Sequence, residues 1–154
     1  MDRAPEPDDV ITFPALLRGA RNTYAGAIRH AHRAAGFEDL PRNGAFVLGA
    51  IARTGSSIGE IIPWLRVSKQ AAGQLVDTLV LRGYLERTPD PEDRRRLTLS
   101  LTERGAAAAA AGRAAVEEVD ALLVERVGAD TVARARQALG VLTDLGFEDG
   151  GAGG

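Results

Sequence analysis

The sequence predicts a mainly α-helical protein with one small β-hairpin. Apolar residues recur at helical spacing over most of the chain, whereas strict alternation of apolar and hydroxyl residues is confined to residues 97–101. A chain of 154 residues that is 45% hydrophobic can bury a core, and we expect a single domain over residues 10–147. The Pro- and charge-rich residues 1–9 and the glycine-rich residues 148–154 are expected to be disordered.

The composition excludes several classes of function. The formal net charge is -2, so a surface that binds nucleic acid would have to be local. The sequence has no cysteine, which excludes disulfides, thiolate metal sites and thiol-based redox sensing. The N-terminus is acidic and no apolar run reaches the roughly 18 residues of a membrane span. We therefore expect no signal peptide, no membrane partner and a cytoplasmic location.

His30 and His32 are the two histidines of the chain. Their i,i+2 spacing on a predicted helix points them to different faces, whereas paired metal ligands need a shared face. We therefore predict two partly exposed polar side chains, no metal site and no cofactor.

The first two helices are predicted from apolar periodicity. Apolar residues recur at helical intervals from Phe13 onward, with arginines between them, and Gly36 ends the pattern. Pro41 is placed at the opening of a second helix, because proline is tolerated in the first turn. Thr54-Gly55 closes that helix.

A third, short helix is predicted from a capping box. Ser57 and Glu60 have the required spacing ahead of an apolar group. Pro63 lies early in this helix, where its ring and missing N–H disturb a full turn, so a late start or a bend is predicted. The short connection Arg66-Val67 then leads to the next helix, as in a helix-turn-helix.

The pattern of apolar and polar residues over positions 68–79 predicts a helix with one face that packs against the core and one face that is exposed. Ser68 can act as the N-cap, and Gly83 is expected to end the segment as a left-handed residue. The packing face comprises Ala72, Leu75, Val76 and Leu79, and the exposed face comprises Gln70, Gly73, Gln74 and Asp77.

Residues 84–88 and 97–101 predict the two strands of a hairpin. In the second strand leucines alternate with hydroxyl residues, which places the leucines on one buried face. Residues 89–96 between the strands contain two prolines that forbid ladder pairing, so we predict a charged loop projecting from the sheet. The densest positive charge of the chain lies there, in Arg94, Arg95 and Arg96.

Two further helices are predicted after the hairpin. Thr102 can cap a long helix that runs through the alanines of residues 106–111, whose small side chains allow another helix to approach closely. Gly128 separates it from a final helix. The apolar positions of that final helix are Val132, Ala135, Leu139, Leu142 and Leu145.

Three helices followed by a hairpin with a basic tip form the plan of a winged helix, and the sequence resembles the MarR family of bacterial transcription regulators. The resemblance rests on the segment from Gly83 to Gly105, which is similar to the family pattern G-[LY]-[VIL]-x-R…D-x-x-D-x-R…L-T-x-x-G. It implies an obligate homodimer, with dimerisation helices in residues 10–36 and 102–147 and a winged-helix DNA-binding lobe in residues 40–101. Two-fold symmetry then predicts a pseudo-palindromic operator with half-sites about 10 bp apart.

On the recognition helix, the expected DNA contacts divide by chemistry. The N-terminus favours phosphate, because backbone amides and the helix dipole point there and Lys69 adds a charge. Gln70 and Gln74 lie one turn apart and can contact bases, most naturally adenine, while Gly73 allows close approach. A solvated helix face without a function is the alternative. The predicted set is Ser68, Lys69, Gln70, Gly73, Gln74 and Asp77.

For the wing, the resemblance implies that Arg94 or Arg95 enters the minor groove and that Asp93 holds an arginine in place. Arginine suits this role because narrow minor grooves concentrate negative potential. Arg96 belongs to the same basic set. A flexible, solvated tip is the alternative interpretation, since charge runs are often solvated.

The sequence departs from the family pattern in three places. Pro63 lies in the supporting helix, Val80-Leu81 replaces an expected polar or charged pair, and Glu92 with Asp93 offsets part of the wing's charge. Trp64, Val80 and Leu81 could form an apolar surface for a partner or an effector. Core packing is the preferred interpretation, because tryptophan is usually mostly buried.

The predicted function is a sequence-specific, ligand-responsive repressor whose partners are operator DNA, a second copy of the chain and a small organic effector. No effector-binding residue is identified. The alternative is a dimeric winged-helix module that binds a protein or small molecule without specific DNA binding. An enzyme is not predicted, because the sequence contains no recognisable nucleophile–base pair or phosphate loop.

Overall fold

The protein is described by a computed structural model that covers residues 11–55, 58–65, 67–90 and 97–145. The predicted fold class, mainly α-helical with one β-hairpin, is confirmed. The elements in chain order are helices α1 (Phe13–Ala34), α2 (Gly44–Thr54), α3 (Ile58–Leu65) and α4 (Lys69–Leu81), strands β1 (Leu85–Pro89) and β2 (Leu97–Leu101), and helices α5 (Glu103–Val127) and α6 (Ala129–Asp144).

The chain divides into two compact units, and the boundary between them in the sequence lies between Val116 and Glu117. The first unit contains α1 to α4, the hairpin and the first half of α5. The second unit contains the rest of α5 and all of α6.

The core of the first unit lies between α2, α4 and the start of the hairpin. Its largest fully buried side chains are Val47, Leu48, Leu79, Tyr84 and Leu85. Because these residues come from both sides of α3, burying them together brings α2 against α4 and closes the helix-turn-helix.

His32 packs between α1 and α5, so the prediction that it would be partly exposed was wrong. The residue is 5% exposed, and its Nε2 lies 2.8 Å from the Ala108 carbonyl oxygen, to which it donates. A β-carbon on Gly112 would lie only 3.2 Å from the same nitrogen. The small residues of α5 leave room for the ring, and the carbonyl satisfies its N–H. His30 is exposed, on another face of α1.

Helix α2 begins later than predicted. Pro41 was expected at its opening, but the helix starts at Gly44, after Asn43 in the left-handed region with a φ of 66°. The Gly44 N–H donates to the Pro41 carbonyl at 2.8 Å, so Pro41 belongs to a tight turn before the helix. The predicted end is confirmed, because Gly55 follows Thr54 as a left-handed cap.

Helix α3 begins at Ile58 and contains Pro63, so a late start is not observed. Proline removes the N–H that would donate to the Gly59 carbonyl, and the helix ends soon afterwards, at Leu65. The Ser57 capping box lies outside the described residues.

The hairpin pairs β1 and β2 antiparallel, as predicted, with Leu85 opposite Leu101. The prediction that Pro89 lies in the loop was wrong, because Pro89 is the last residue of β1, opposite Leu97, at the end of a strand that has no second neighbour to receive an N–H. The strict division of β2 into a buried leucine face and an exposed hydroxyl face is not observed. Positions 98–101 are all half-buried, because a two-stranded sheet lacks the strand neighbours that would cover one face fully. Leu101 nevertheless packs against the core, which fixes the hairpin at its base.

Candidate nucleic-acid interface

The N-terminus of α4 is capped as the sequence predicts. Ser68 is extended, with φ -63° and ψ 156°, and its Oγ accepts a hydrogen bond from the Ala71 N–H at 3.1 Å. This bond satisfies one of the amides that a helix start leaves unpaired. Lys69 and Gln70 consequently lie exposed in the first turn, beside the positive end of the helix dipole.

The two faces of α4 are also confirmed. Ala72, Val76 and Leu79 are buried and Leu75 is half-buried. A rise of about 1.5 Å per residue separates successive side chains along the helix, so Gln70 and Gln74 project about 6 Å apart in the axial direction. The exposed face comprises Gln70, Gly73, Gln74 and Asp77.

Gly73 meets no neighbour in the fold, because a β-carbon built there would have nothing within 4 Å. Packing inside the chain therefore does not require glycine at this position. Its value lies in the open surface between the two glutamines, where a missing side chain leaves room for another molecule.

Asp77 is engaged inside the chain rather than pointing freely outward. Its Oδ1 lies 2.5 Å from Nη2 of Arg87 on β1, with side-chain exposures of 69% for Asp77 and 42% for Arg87. The ion pair joins the middle of α4 to the first wing strand and offsets a negative charge beside the two glutamines. Arg87 belongs to the family pattern at the start of the hairpin, but the pattern does not indicate which residue Arg87 contacts.

A second polar cluster holds the end of α4. Asp39, in the connection between α1 and α2, accepts at Oδ1 from the Tyr84 hydroxyl at 2.5 Å and from Nη2 of Arg104 at 2.8 Å. Arg104 also donates to the Tyr84 hydroxyl oxygen at 3.1 Å. Its guanidinium carbon lies 4.6 Å from the centre of the Tyr84 ring and 5.6 Å from that of Phe37. Arg82 donates to the backbone carbonyl of Asp39.

The electrostatics of this cluster are reciprocal. The hydrogen bond from Tyr84, assisted by Arg104, lowers the pKa of Asp39 below its ordinary value. Burial of Tyr84 and its hydrogen bond to Asp39 raise the pKa of the phenol. At neutral pH the aspartate is therefore charged and the phenol is neutral, so both groups are in the forms that their hydrogen bonds require.

The first turn of α5 also contacts the backbone of Gly83 and Tyr84. Thr102 caps it as predicted, since its Oγ1 accepts from the Gly105 N–H at 3.0 Å, and it also donates to the Gly83 carbonyl at 2.5 Å. The Thr102 N–H donates to the Tyr84 carbonyl at 3.2 Å. A β-carbon on Gly105 would lie 1.9 Å from that same Tyr84 oxygen. Only glycine fits there without a shift of the backbone.

The end of α4 has a left-handed Gly83, as the sequence predicts, and forms a Schellman motif. Gly83 has a φ of 73°, and its N–H donates to the Val80 carbonyl at 3.0 Å. The Tyr84 N–H donates to the Leu79 carbonyl at 2.9 Å. Both bonds satisfy carbonyls left unpaired by the helix end, and they tie Tyr84 rigidly to α4.

The wing tip lies outside the described residues, and with it Asp93, Arg94, Arg95 and Arg96. Their roles stay predictions. The described part of the hairpin consists of β1, which ends at Pro89, and β2, which begins at Leu97.

Core packing was predicted for the apolar residues near α4. This prediction is confirmed for Val80 and wrong for Leu81. Val80 is partly buried and packs against the core. Leu81 is 87% exposed, because it follows Val80 by one position and so points away from the face that packs. The side chain of Trp64 lies outside what the structure describes.

Among residues 11–55, 58–65, 67–90 and 97–145, no group of three histidine, aspartate or glutamate side chains is placed to hold a metal ion. In the same part of the chain, no helix combines the length and apolarity needed to cross a bilayer.

A helix-turn-helix whose last helix exposes a polar face, followed by a two-stranded hairpin, defines a winged-helix protein. Residues 38–96, which contain the winged-helix segment, match the sequence model of the MarR family. The resemblance inferred from Gly83 to Gly105 is confirmed. No curated protein matches the chain.

Solved structures of MarR-family regulators share the fold. E. coli MarR in its reduced form is 24% identical, covering 86% of this chain and 97% of that one, with a TM-score of 0.64. The transcriptional regulator Tm0710 of Thermotoga maritima is 26% identical, covering 86% and 92%, with a TM-score of 0.55. S. aureus MepR, solved in complex with DNA, is 18% identical, covering 87% and 98%, with a TM-score of 0.68. The chain thus has the fold of MarR-family transcriptional regulators over most of its length.

Proposed function

We propose that this protein is a sequence-specific DNA-binding transcriptional regulator that acts as a homodimer on a pseudo-palindromic operator. The observation that carries the proposal is the orientation of α4. Its apolar face is anchored in the core, and its capped N-terminus and exposed glutamines are open to an external surface. The DNA complex of MepR, a protein of the same fold, supports this assignment.

In the proposed complex, the N-terminus of α4 grips the phosphate backbone through Ser68 and Lys69. Gln70 and Gln74 reach base edges in the major groove, where a glutamine can donate to and accept from adenine. Gly73 lets the helix enter closely. Arg94, Arg95 and Arg96 contact the minor groove and flanking phosphates, with Asp93 as their support. Asp77 contributes through its ion pair with Arg87.

The homodimer is supported by apolar side chains that the single chain leaves uncovered. Monomeric proteins rarely expose so many large apolar residues along neighbouring turns, and a symmetric partner is the commonest cover for such surfaces. In the second unit they are Leu122, Leu123, Val124, Val127, Leu139, Val141, Leu142 and Leu145. In the first unit Ile11, Phe13 and Leu16 at the start of α1 are also exposed.

Regulation by a small organic ligand is the finer part of the proposal. MepR, of the same fold, has been solved with ethidium bromide bound. Our chain contains no cysteine, so control by thiol oxidation is excluded and a ligand is the simpler signal. We propose a repressor in the cytoplasm that blocks a promoter and is released by such a ligand. Its activity is binding rather than catalysis.

The first test addresses base readout. Duplexes are selected from a random pool on the wild-type protein, and their sequences are expected to contain a palindrome with half-sites about 10 bp apart. Gln74→Ala should then lose roughly 1–3 kcal/mol of discrimination at one base pair of each half-site, because one amide contact is removed. Gln137→Ala, on exposed α6, is the matched control. A selected pool without a palindrome would contradict the dimeric readout.

The second test addresses the wing. Replacing Arg94 and Arg95 together by alanine should weaken binding to all duplexes and reduce the slope of log affinity against log salt by about one per lost phosphate contact. The control replaces Arg18 and Arg21 of α1, both exposed, by alanine. If the wing variant and the control behave alike, the wing makes no contact with DNA.

A second candidate function is favoured by one observation, the 87% exposure of Leu81 at the end of α4. In that case the winged helix binds a protein or small molecule without specific DNA binding. A gel shift with the selected duplexes at two salt concentrations separates the two functions, since specific binding persists at the higher salt and nonspecific binding does not.

A further inference from the structure

The end of the recognition helix is held by a cluster of three side chains from distant parts of the chain. Asp39 comes from the connection before α2, Tyr84 lies in the short connection between α4 and β1, and Arg104 lies in the first turn of α5. We call these three residues the α4–α5 joint. Each contacts the other two, through the hydrogen bonds of 2.5, 2.8 and 3.1 Å described above.

The joint is connected rigidly to α4 on one side. Tyr84 donates its N–H to the Leu79 carbonyl, so a movement of Tyr84 moves the last turn of α4 with it. Arg82, the last cap residue of the helix, donates to the backbone carbonyl of Asp39. The exit angle of α4 is therefore set by what Tyr84 and Asp39 contact.

The joint is equally rigid on the side of α5. The Thr102 N–H donates to the Tyr84 carbonyl. The backbone of Gly105 lies so close to that carbonyl oxygen that a β-carbon on residue 105 would overlap it. The guanidinium of Arg104 lies over the Tyr84 ring, and its Nη2 donates to both the Asp39 carboxylate and the Tyr84 hydroxyl oxygen. Strand β1 begins one residue after Tyr84, so the wing leaves from the same point.

The energetics favour an effect on geometry over an effect on stability. Arg104 and Asp39 keep 42% and 47% of their side chains exposed, and exposed ion pairs add little to the free energy of unfolding. The buried apolar contacts around Leu48, Leu79 and Leu85 hold the lobe together independently of these two groups. Removing the polar contacts should leave the lobe folded while loosening the angle between α4 and α5.

We propose that Asp39, Tyr84 and Arg104 are positioning residues for DNA recognition, which set the angle of the recognition helix and of the wing relative to α5 without contacting bases. The inference rests on the proposed DNA-binding function and adds to it residues outside the reading face. A helix that is misplaced by a small angle keeps its phosphate grip but loses base contacts, because hydrogen bonds to base edges depend more steeply on direction.

The experiment compares Tyr84→Phe, Asp39→Asn and Arg104→Gln with Arg42→Gln, an exposed arginine of the same connection as Asp39. Tyr84→Phe removes only the hydroxyl and keeps the buried ring. Affinity for the selected duplex and for an unrelated duplex is measured over a range of salt, together with the melting temperature. Each joint variant should reduce the preference for the selected duplex roughly threefold to tenfold, the range expected for mutations that couple sites without touching the ligand.

The salt dependence distinguishes positioning from direct contact. The slope of log affinity against log salt should stay at the wild-type value in all three joint variants. If Arg104→Gln reduces the slope by about one and weakens both duplexes equally, Arg104 binds phosphate and the positioning role is wrong. If the melting temperature falls while the preference is unchanged, the cluster is only structural and the inference is overturned.

The phenol of Tyr84 reports whether the contacts are those described. Asp39→Asn should lower the pKa of Tyr84, because the charged acceptor is lost, and Arg104→Gln should raise it, because the cation is lost. The measurement is tyrosinate absorbance during alkaline titration, with Tyr84→Phe giving the signal of Tyr24 alone. Absence of these opposite shifts would contradict the joint.

If wild-type protein prefers no duplex, the proposed function fails and the positioning role falls with it, even where the shifts are observed.

Discussion

Gly105 allows the first turn of α5 to lie directly against the backbone of Tyr84. Sequence spacing placed this glycine within the family pattern, but spacing carries no information on which atom it faces. The structure shows that the atom is the Tyr84 carbonyl oxygen, which also accepts from Thr102. A single missing β-carbon thus permits the first turn of α5 to lie against the residue that follows the C-terminal cap of α4.

Gly105→Ala should destabilise the protein by about 1–3 kcal/mol, the range for overpacking a well-packed site, because its β-carbon would overlap the Tyr84 oxygen. Urea unfolding followed by circular dichroism measures the change. Gly19→Ala is the control, because a β-carbon in that part of α1 has nothing within 4 Å. It should be neutral or stabilising by up to about 1 kcal/mol, since alanine favours helix. Equal effects at both positions would show that the close approach at Gly105 is absent.

At the scale of the element, α4 was predicted most completely. Its cap, its two faces and its left-handed terminator depend on residues close together in the chain, so local spacing was sufficient. Helix α2 was predicted less well at its start, because Pro41 can open a helix or head a turn with similar ease. The turn is selected by packing, since Gly44 is buried between Leu40 and Leu79, where a β-carbon would come within 3.2 Å of either side chain.

Ser68→Ala should reduce the stability of the protein by about 1 kcal/mol, because the Ala71 amide would lose its acceptor at the helix start. The same unfolding measurement applies. Ser68→Thr retains a hydroxyl at the cap and should lie within a few tenths of a kcal/mol of wild type. A threonine variant as unstable as the alanine variant would indicate that the hydroxyl does not cap the helix.

At the scale of the whole molecule, the exposed apolar residues of α5 and α6 are the dominant unexplained surface of the isolated chain. The predicted core spacing of α6 is present in the sequence, yet Val132 is its one buried residue among those the structure describes, and Leu139 and Leu142 are 39% and 42% exposed. An amphipathic pattern predicts that one face of a helix is buried. It does not tell whether that face packs against the same chain or against another one.

Leu142→Glu should convert the proposed dimer into monomer, raising the dissociation constant by about a hundredfold, the scale of an interface hot spot. Sedimentation equilibrium measures the mass over a range of concentration. Gln137→Glu adds the same charge at an exposed position of α6 and should leave the mass unchanged. Helicity should survive both changes, because Leu142 is already partly exposed. A dimer that persists in Leu142→Glu would place the interface elsewhere.

The sequence by itself determined the helices, the hairpin, the polar face of α4 and the family resemblance, because each depends on neighbours within one or two turns or on short motifs. The tertiary structure alone decided the burial of His32, the exposure of Leu81 and the pairing of Asp77 with Arg87. It also decided the joint, in which Tyr84 and Arg104 lie 45 and 65 positions along the chain from the Asp39 carboxylate that both contact. Polar contacts at such separations leave no periodic signal, because they depend on how whole elements pack. The packing that brings them together is the same packing that places the end of α4 beside α5.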